Sequence, residues 1–492
     1  MTDASREQSM RRPIRRVSTL LLIMFVGLFG SSTMIQAVQA DALQADPRNT
    51  RTLYDSFAVE RGSIVVDGVQ VALSTPSNDE FEWQREYPMG PLYAHVTGYN
   101  SLGQGSRGIE DAMNEELTGT ANSQFFDQVL ATLTGESPAG SSVELTIDAQ
   151  AQQAAADALG DRVGAVVALD PDTGDVLAMY SSPTYDPNPF ASHSTAAVTE
   201  VYDRLLADPQ DPLHNRTIEG DQFTPGSVFK VLMLSAALES GQFTLDSEFE
   251  NPAELQLPQS THVVRNASRE TCGPGETVTL ETAFILSCNI PFAQLAQQLG
   301  ADAIAQQAAA FGYGQTLDIP LRVQASSYPS DLNEPNLMLT GFGQHDVRVT
   351  PMQIAMTTAA IANDGTMMQP NMVDRVLAPN LDVISEPEPT ILGNPVSAEV
   401  AAQVRASMEL GVQEGLATNA QIDGVTVGGK TGTAERGEGR SFNLWFTGYG
   451  ELDDQSVAVA VVVVPDENIV GDTSNVIAAP IGRAVIEAVL NS

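Results

Sequence analysis

An α+β fold is predicted for the larger part of this 492-residue chain, because strand-forming stretches near both of its ends enclose a long helical middle. The early strands are Gly164–Leu169 and Asp175–Tyr180; the late ones are Val425–Thr433, Phe442–Gly448 and Val457–Val464. From about Thr199 to Ala362 the pattern is mostly helical. The economical arrangement is one antiparallel sheet built from the two ends, with helices packed on it and a helical subdomain beside it.

Taken in order, the chain opens with Arg6, Arg11, Arg12, Arg15 and Arg16, followed by an uncharged run from Val17 to Ala40. Such a run is long enough to span a bilayer, and the arginines assign residues 1–16 to the cytoplasm and everything after residue 40 to the outside. A cleaved leader is the competing reading, since Val38-Gln39-Ala40 resembles a cleavage site; the apolar part is long for a leader, which favours a retained anchor at 17–40. Residues 41–140 are mixed and polar, with short strands such as Gly62–Val66 turning at Asp67-Gly68, and read as a separate small domain. Within it, Gly103, Gly105 and Gly108 have the spacing of a dinucleotide fingerprint ahead of a helix-like Ile109–Leu117. The buried parallel strand that such a site needs is missing, so nucleotide binding is not expected.

Thr134–Ser142, rich in Gly, Ser and Pro, reads as a linker, and a second domain occupies 141–492. It starts with a strand, Val143–Asp148, running into a helix at 149–159 that Asp148 is placed to cap. The two early strands join through Asp170-Pro-Asp-Thr-Gly174 as a hairpin. Thr350-Pro351-Met352-Gln353 is a helix start that Asp364-Gly365 later ends, and a C-terminal helix lies within Val476–Leu490.

Sixty-two acidic against 24 basic residues give a net charge of −38, which excludes nucleic acid as a partner and describes a well-solvated, self-repelling surface. No Cys/His spacing suits a metal, the five histidines are scattered, and no cofactor is read. Cys272 and Cys288 are the two cysteines; outside the membrane they can form a bridge, the alternative being two buried free thiols.

Chemistry concentrates at Phe223-Thr224-Pro225-Gly226-Ser227-Val228-Phe229-Lys230. Pro225 is pre-set for a first helical turn, Gly226 permits close approach, and the apolar run from Val228 predicts a largely buried helix ended by Gly241. Ser227 and Lys230, three apart, then share one face of the first turn, so that an amine can take the proton of a hydroxyl. Bringing a lysine from about 10.4 to near 7 takes about 4 kcal/mol, within reach of burial and a second nearby cation. The chain has just two lysines, Lys230 and Lys430, and the second opens Lys430-Thr431-Gly432-Thr433 on a predicted strand. Either motif alone is an ordinary helix turn or strand end; both lysines falling in such contexts is not ordinary. A Ser-x-Asn triplet occurs at Ser287-Cys288-Asn289 and again at Ser441-Phe442-Asn443. The first lies between Ser227 and Lys430, after a helix-like Leu280–Leu286 and before Pro291, where a helix–helix turn can aim both polar groups at a cleft. A bridge from Cys272 to Cys288 would pin that turn.

Ser227-x-x-Lys230, Ser287-x-Asn289 and Lys430-Thr431-Gly432-Thr433, in this order, resemble the penicillin-binding protein and serine β-lactamase superfamily. Arg61-Gly62, Gly108-Ile109-Glu110, Leu145–Asp148, Tyr185–Asn188, Gly341–Gln344 with Val349–Pro351, and Trp445-Phe446-x-Gly448 resemble class B penicillin-binding proteins, and Tyr87–Asn100 is most like the actinobacterial penicillin-binding protein A group. The resemblance implies a penicillin-binding protein/serine β-lactamase-like transpeptidase domain at 141–492, behind a pedestal or dimerisation domain at 41–140. It further implies a serine-type peptidoglycan D,D-transpeptidase of cell-wall synthesis, acting on stem peptides and acylated by β-lactams at Ser227. Lys230 would be the acylation base, Ser287 a proton relay, and Asn289 an orienting group. Lys430 would repel charge from Lys230 and attract the substrate carboxylate, which Thr431 and Thr433 would also bind, and the backbone N–H groups of Ser227 and Thr433 would form an oxyanion hole. A SEDS-type glycosyltransferase is the implied membrane partner. Cys288 inside the middle motif departs from the pattern and exposes the site to local redox state. A D,D-carboxypeptidase, a β-lactam sensor or inactive scaffold, and a serine β-lactamase are the rival readings.

Overall fold

The computed structural model describes residues 4–35, 57, 59–121, 139–219, 222–435, 442–465 and 473–492. These divide into two compact units, residues 1–58 with 78–82, and residues 59–77 with 83–492.

The first unit holds one long helix, Ala4–Thr33, of which Ile14–Thr33 is 20 residues with a mean hydropathy of 1.6 and no part buried in protein. At 1.5 Å per residue that segment reaches about 30 Å, the depth of a hydrocarbon core. The helix covers the start of the expected 17–40 anchor; Val38-Gln39-Ala40 and the boundary at 41 lie outside the described residues.

In the second unit, five antiparallel strands lie in the order Thr426–Ala434, Asn443–Leu452, Gln455–Val464, Val163–Leu169 and Val176–Ser182. Early and late strands meet at Val166 opposite Val461, which closes the sheet from the two ends of the region. Because side chains alternate across a strand, the sheet feeds two cores. Ala165, Val167, Ala460, Val462 and Trp445 join the helical middle on one face, while Val166, Ala168, Val459, Val461 and Phe446 pack on the other against Ala151, Ala155, Ala479, Val485 and Ile486. The last five belong to helices Ala149–Leu159 and Ser474–Leu490. Asp148 caps the first by accepting from Ala151 N at 2.7 Å. Thr350 likewise caps Pro351–Ala362 by accepting from Gln353 N, and Asp364 and Gly365, both at positive φ, follow that helix.

A second sheet of six strands runs Val383–Ser385, Val373–Leu377, Ser142–Leu145, Ile64–Val66, Val69–Pro76 and Trp83–Glu86. The Asp67-Gly68 turn joins two of them, with both residues at positive φ as a tight hairpin requires. Ser142–Leu145 is held between Ile64–Val66 on one side, in parallel, and Val373–Leu377 on the other, so the sheet crosses the boundary expected at residue 140. The stretch Tyr99–Arg107 is an antiparallel pair of short strands, and Ile109–Leu117 is broken at Met113 into two short helices, Ile109–Ala112 and Asn114–Thr118.

Glu110 knits this region together from a fully buried position. Its carboxylate accepts from Arg61 Nε at 2.5 Å, Arg85 Nε at 2.6 Å and Tyr87 Oη at 3.1 Å. Burial works to raise its pKa, and the guanidiniums of Arg85 and Arg61 overcome that and hold it below the ordinary carboxylate value.

Candidate active site

The apolar run predicts an α-helix opening at Ser227; the structure instead makes Gly226–Phe229 a 3₁₀ turn, and the α-helix proper is Lys230–Glu239. In a 3₁₀ turn residues i and i+3 eclipse, which keeps Ser227 and Lys230 on one side. Gly226 sits at φ +57, and a Cβ there would stand 2.8 Å from Thr433 O, so both its conformation and its contact with the Lys430 strand demand glycine. Gly432 answers from the other side, where a Cβ would meet Val228 N at 2.9 Å. The strand Thr426–Ala434 is at the edge of its sheet, and the serine turn packs on that edge. Behind the turn, Trp445 Nε1 donates to Thr224 O at 3.0 Å.

Helix Leu280–Ile285 ends at Ser287, which adopts φ +56 and donates its N–H to Phe284 O. The next helix begins at Asn289, two residues before the proline that announces it in the sequence. Ser287 is thus held in a left-handed conformation that few non-glycine residues adopt, a recurrent mark of functional turns.

Both lysines reach this turn. Lys230 Nζ donates to Ser287 O at 2.8 Å and to Asn289 Oδ1 at 3.0 Å, while Lys430 Nζ donates to Ser287 Oγ at 2.6 Å and to Thr431 O at 3.1 Å. The amide of Asn289 is fixed at its other end by donation from Nδ2 to Arg265 O at 3.0 Å. Lys230 lies 5.3 Å from the centre of the Phe292 ring and Lys430 5.7 Å from that of Phe284. Among the described residues neither lysine has a carboxylate partner, in a chain that carries 62 of them.

That environment acts on both amines. Lys230 is fully buried, and burial first, then the positive charge of Lys430, pushes its pKa well below the ordinary value. Burial alone brings Lys430 to about 7. A neutral Lys230 has two N–H donors, and its two acceptors, Ser287 O and Asn289 Oδ1, account for both. Its lone pair is left to take a proton. Ser227 is 9% exposed and its Oγ makes no hydrogen bond among the described residues, so the serine–lysine contact expected from the spacing is not made in this resting arrangement. Such contacts commonly tighten only with substrate.

The remaining motif residues divide by the alternation of the strand. Lys430 shares a face with Trp445 and Thr447, whereas Thr431 turns to the opposite face and donates to Leu416 O at 3.1 Å. Thr433 is exposed, its hydroxyl 3.0 Å from Ser474 Oγ, which itself donates to Gly432 O at 2.6 Å. Ser474, first residue of the C-terminal helix, carries no motif that would single it out in the sequence. A disulfide joins Cys272 to Cys288, with Cα atoms 5.8 Å apart. The second triplet does not reach the lysines: Asn443 Nδ2 is 3.4 Å from Thr224 O, and Ser441 is outside the described residues. No group of three or more metal-ligating side chains occurs among the described residues.

Two family models match the chain, the penicillin binding protein transpeptidase domain over residues 164–487 and the penicillin binding protein A dimerisation domain over residues 61–143. The peptidoglycan D,D-transpeptidase PbpA of Mycolicibacterium smegmatis is 39% identical over 98% of this chain and 99% of its own length, and that of Mycobacterium tuberculosis is 38% identical over the same shares. Among solved structures, penicillin-binding protein A from M. tuberculosis as a ceftriaxone acyl-enzyme matches with a TM-score of 0.85 at 37% identity, covering 89% of this chain and all of that one. Its penicillin G acyl-enzyme matches at 0.83 over 88%. With two thirds of its length in the transpeptidase model and relatives matched end to end, the chain belongs to the class B penicillin-binding proteins.

Proposed function

We propose that this chain is a peptidoglycan D,D-transpeptidase in which Ser227 is the nucleophile and Lys230 its base. The observation that carries the reading is the convergence on Ser287 of two buried lysines, neither with a carboxylate partner among the described residues, beside the serine turn. Lys230 takes the Ser227 proton as Oγ bonds to the penultimate D-Ala carbonyl of a stem peptide, and the oxyanion that forms is met by the N–H groups of Ser227 and Thr433. The amide C–N bond then breaks. The proton returns by way of Ser287, whose Oγ accepts from Lys430 and so keeps its own hydrogen free to donate, to the departing D-Ala amine. In the second half an amine of a neighbouring stem attacks the ester and gives its proton to Lys230; the C–Oγ bond breaks, and Lys230 returns that proton to the departing Ser227 Oγ. Asn289 orients Lys230; Lys430, Thr431 and Thr433 receive the substrate carboxylate, with Thr433 the more open of the two hydroxyls. A β-lactam enters as a substrate mimic and remains on Ser227, as the acyl-enzyme structures of the M. tuberculosis relative illustrate for that protein.

The N-terminal apolar helix is the membrane anchor of this reading, with the arginine-rich end cytoplasmic and the catalytic unit outside. A SEDS-type glycosyltransferase is the partner we assign to the anchor and first domain, by family resemblance. The test is covalent labelling of the full chain by a fluorescent penicillin beside Ser227→Ala, with D-Ala release and cross-linked product followed on a pentapeptide donor. Loss of label and of both products in Ser227→Ala is expected; an equal signal in the two proteins removes the assignment, and D-Ala release without cross-linked product makes the enzyme a carboxypeptidase.

A further inference from the structure

Three ties land on consecutive residues of the middle turn, and all three start from one short segment. Cys288 is bridged to Cys272. Asn289 Nδ2 donates to Arg265 O at 3.0 Å. Asn266 Oδ1 accepts from Asn289 N at 2.9 Å and from Ile290 N at 3.2 Å. Residues 265–272 follow the strand Val263–Arg265, whose partner is Glu254–Gln256. Their far end is fixed in turn by Asn251, which accepts from Cys272 N at 2.6 Å and donates to Cys272 O at 3.1 Å.

Asn266 is the centre of this clamp. It is 4% exposed, and its Nδ2 donates to Glu270 O at 3.0 Å, so its oxygen is the atom left for the two N–H donors. Helix Asn289–Leu299 has Cys288 at its N-cap and no side-chain cap of its own, so Asn266 does from 23 residues away what a local Ser or Asp ordinarily does. The backbone it holds carries the carboxamide whose Oδ1 is 3.0 Å from Lys230 Nζ.

We propose that Asn266 is a positioning residue for the acylation step, acting through Asn289 to hold the Lys230 amine in line with Ser227. The inference rests on the reading of Lys230 as the base. A purely structural cap would change stability alone; a positioning residue changes the rate of the covalent step at unchanged affinity, because a shift of about 1 Å in a catalytic group costs on the order of 100-fold.

The experiment is stopped-flow acylation of the full chain in detergent by a chromogenic β-lactam, resolving the pre-covalent dissociation constant from the acylation rate constant. In Asn266→Ala the rate constant is expected to fall about 10- to 100-fold with the dissociation constant within about 3-fold of wild type. Asn266→Asp keeps an acceptor oxygen in place and restores the rate to within about 3-fold. Because the effect passes through Asn289, adding Asn266→Ala to Asn289→Ala slows the reaction no further. A wild-type rate in folded Asn266→Ala, or independent losses in the double variant, overturns the proposal. If Asn266→Ala does not fold, a tenfold slower reaction in folded Asn266→Asp overturns it as well. Ser227→Ala run alongside separates the two levels: label on that variant sinks the underlying mechanism, whereas its silence beside a full-rate Asn266→Ala sinks the clamp alone.

Discussion

Replacing Lys430 with methionine should make the protein more stable at neutral pH, and more so there than in alkali. Lys430 is 3% exposed and titrates at about 7, against an ordinary 10.5. Between those values the unfolded chain binds a proton that the folded chain does not, so stability rises with pH across the window and is lowest at and below its lower end. Integrating from pH 7 to pH 9.5 gives about 3 kcal/mol for this one group. Methionine binds no proton and is flat over the same range. The hydrogen bonds that Lys430 makes to Ser287 Oγ and Thr431 O are lost equally at both pH values and cancel in the comparison. For 492 residues the entropy of unfolding is about 1 kcal/mol per kelvin, so the melting temperature of Lys430→Met relative to wild type should be higher by about 3 °C at pH 7 than at pH 9.5. Scanning calorimetry of the full chain in detergent reads this directly. A melting difference that is the same at both pH values, within a degree, would refute the claim that an uncompensated buried amine is kept here at the expense of stability.

Two further outcomes follow from the geometry. Gly226→Ala places a methyl group 2.8 Å from Thr433 O at φ +57, and should cost about 1–3 kcal/mol and slow acylation by a β-lactam at least tenfold, read by calorimetry and by the kinetics of label uptake. Glu110→Gln leaves the guanidiniums of Arg61 and Arg85 buried without a counter-charge and should lower stability by about 3–5 kcal/mol at pH 7. Since the folded carboxylate titrates below its ordinary value, its contribution is present above about 4.5 and is lost as the pH falls through the folded value. Urea midpoints of the two proteins should therefore converge in acid, and a gap that stays constant from pH 7 to pH 3 would contradict the assignment.

Much of this was legible in the sequence because it is local. The Asp148 and Thr350 caps, the Asp67-Gly68 turn and the strands of the five-stranded sheet each follow from a few neighbouring residues. The catalytic candidates were legible because lysine is so scarce that its two positions could be read as choices. What escaped was long-range. Nothing in Ser142–Leu145 says that its neighbours will be residues 64–66 and 373–377, since a half-buried strand looks the same whatever it pairs with. Asn266 and Ser474 were invisible for a related reason: each acts on a motif residue far away in sequence, through a single side-chain oxygen. The left-handed Ser287 could not be foreseen from a serine, which rarely takes that conformation unless its surroundings impose it.

A transpeptidase holds an activated ester until some amine arrives, and it does not choose among amines by name. The basic side chains of this chain are arginines and histidines apart from two lysines, and both lysines are buried. Guanidinium stays protonated and does not aminolyse an ester. The loaded enzyme is therefore spared its own side chains: neither its own flank nor that of a crowded neighbouring copy offers an open lysine to be ligated by mistake.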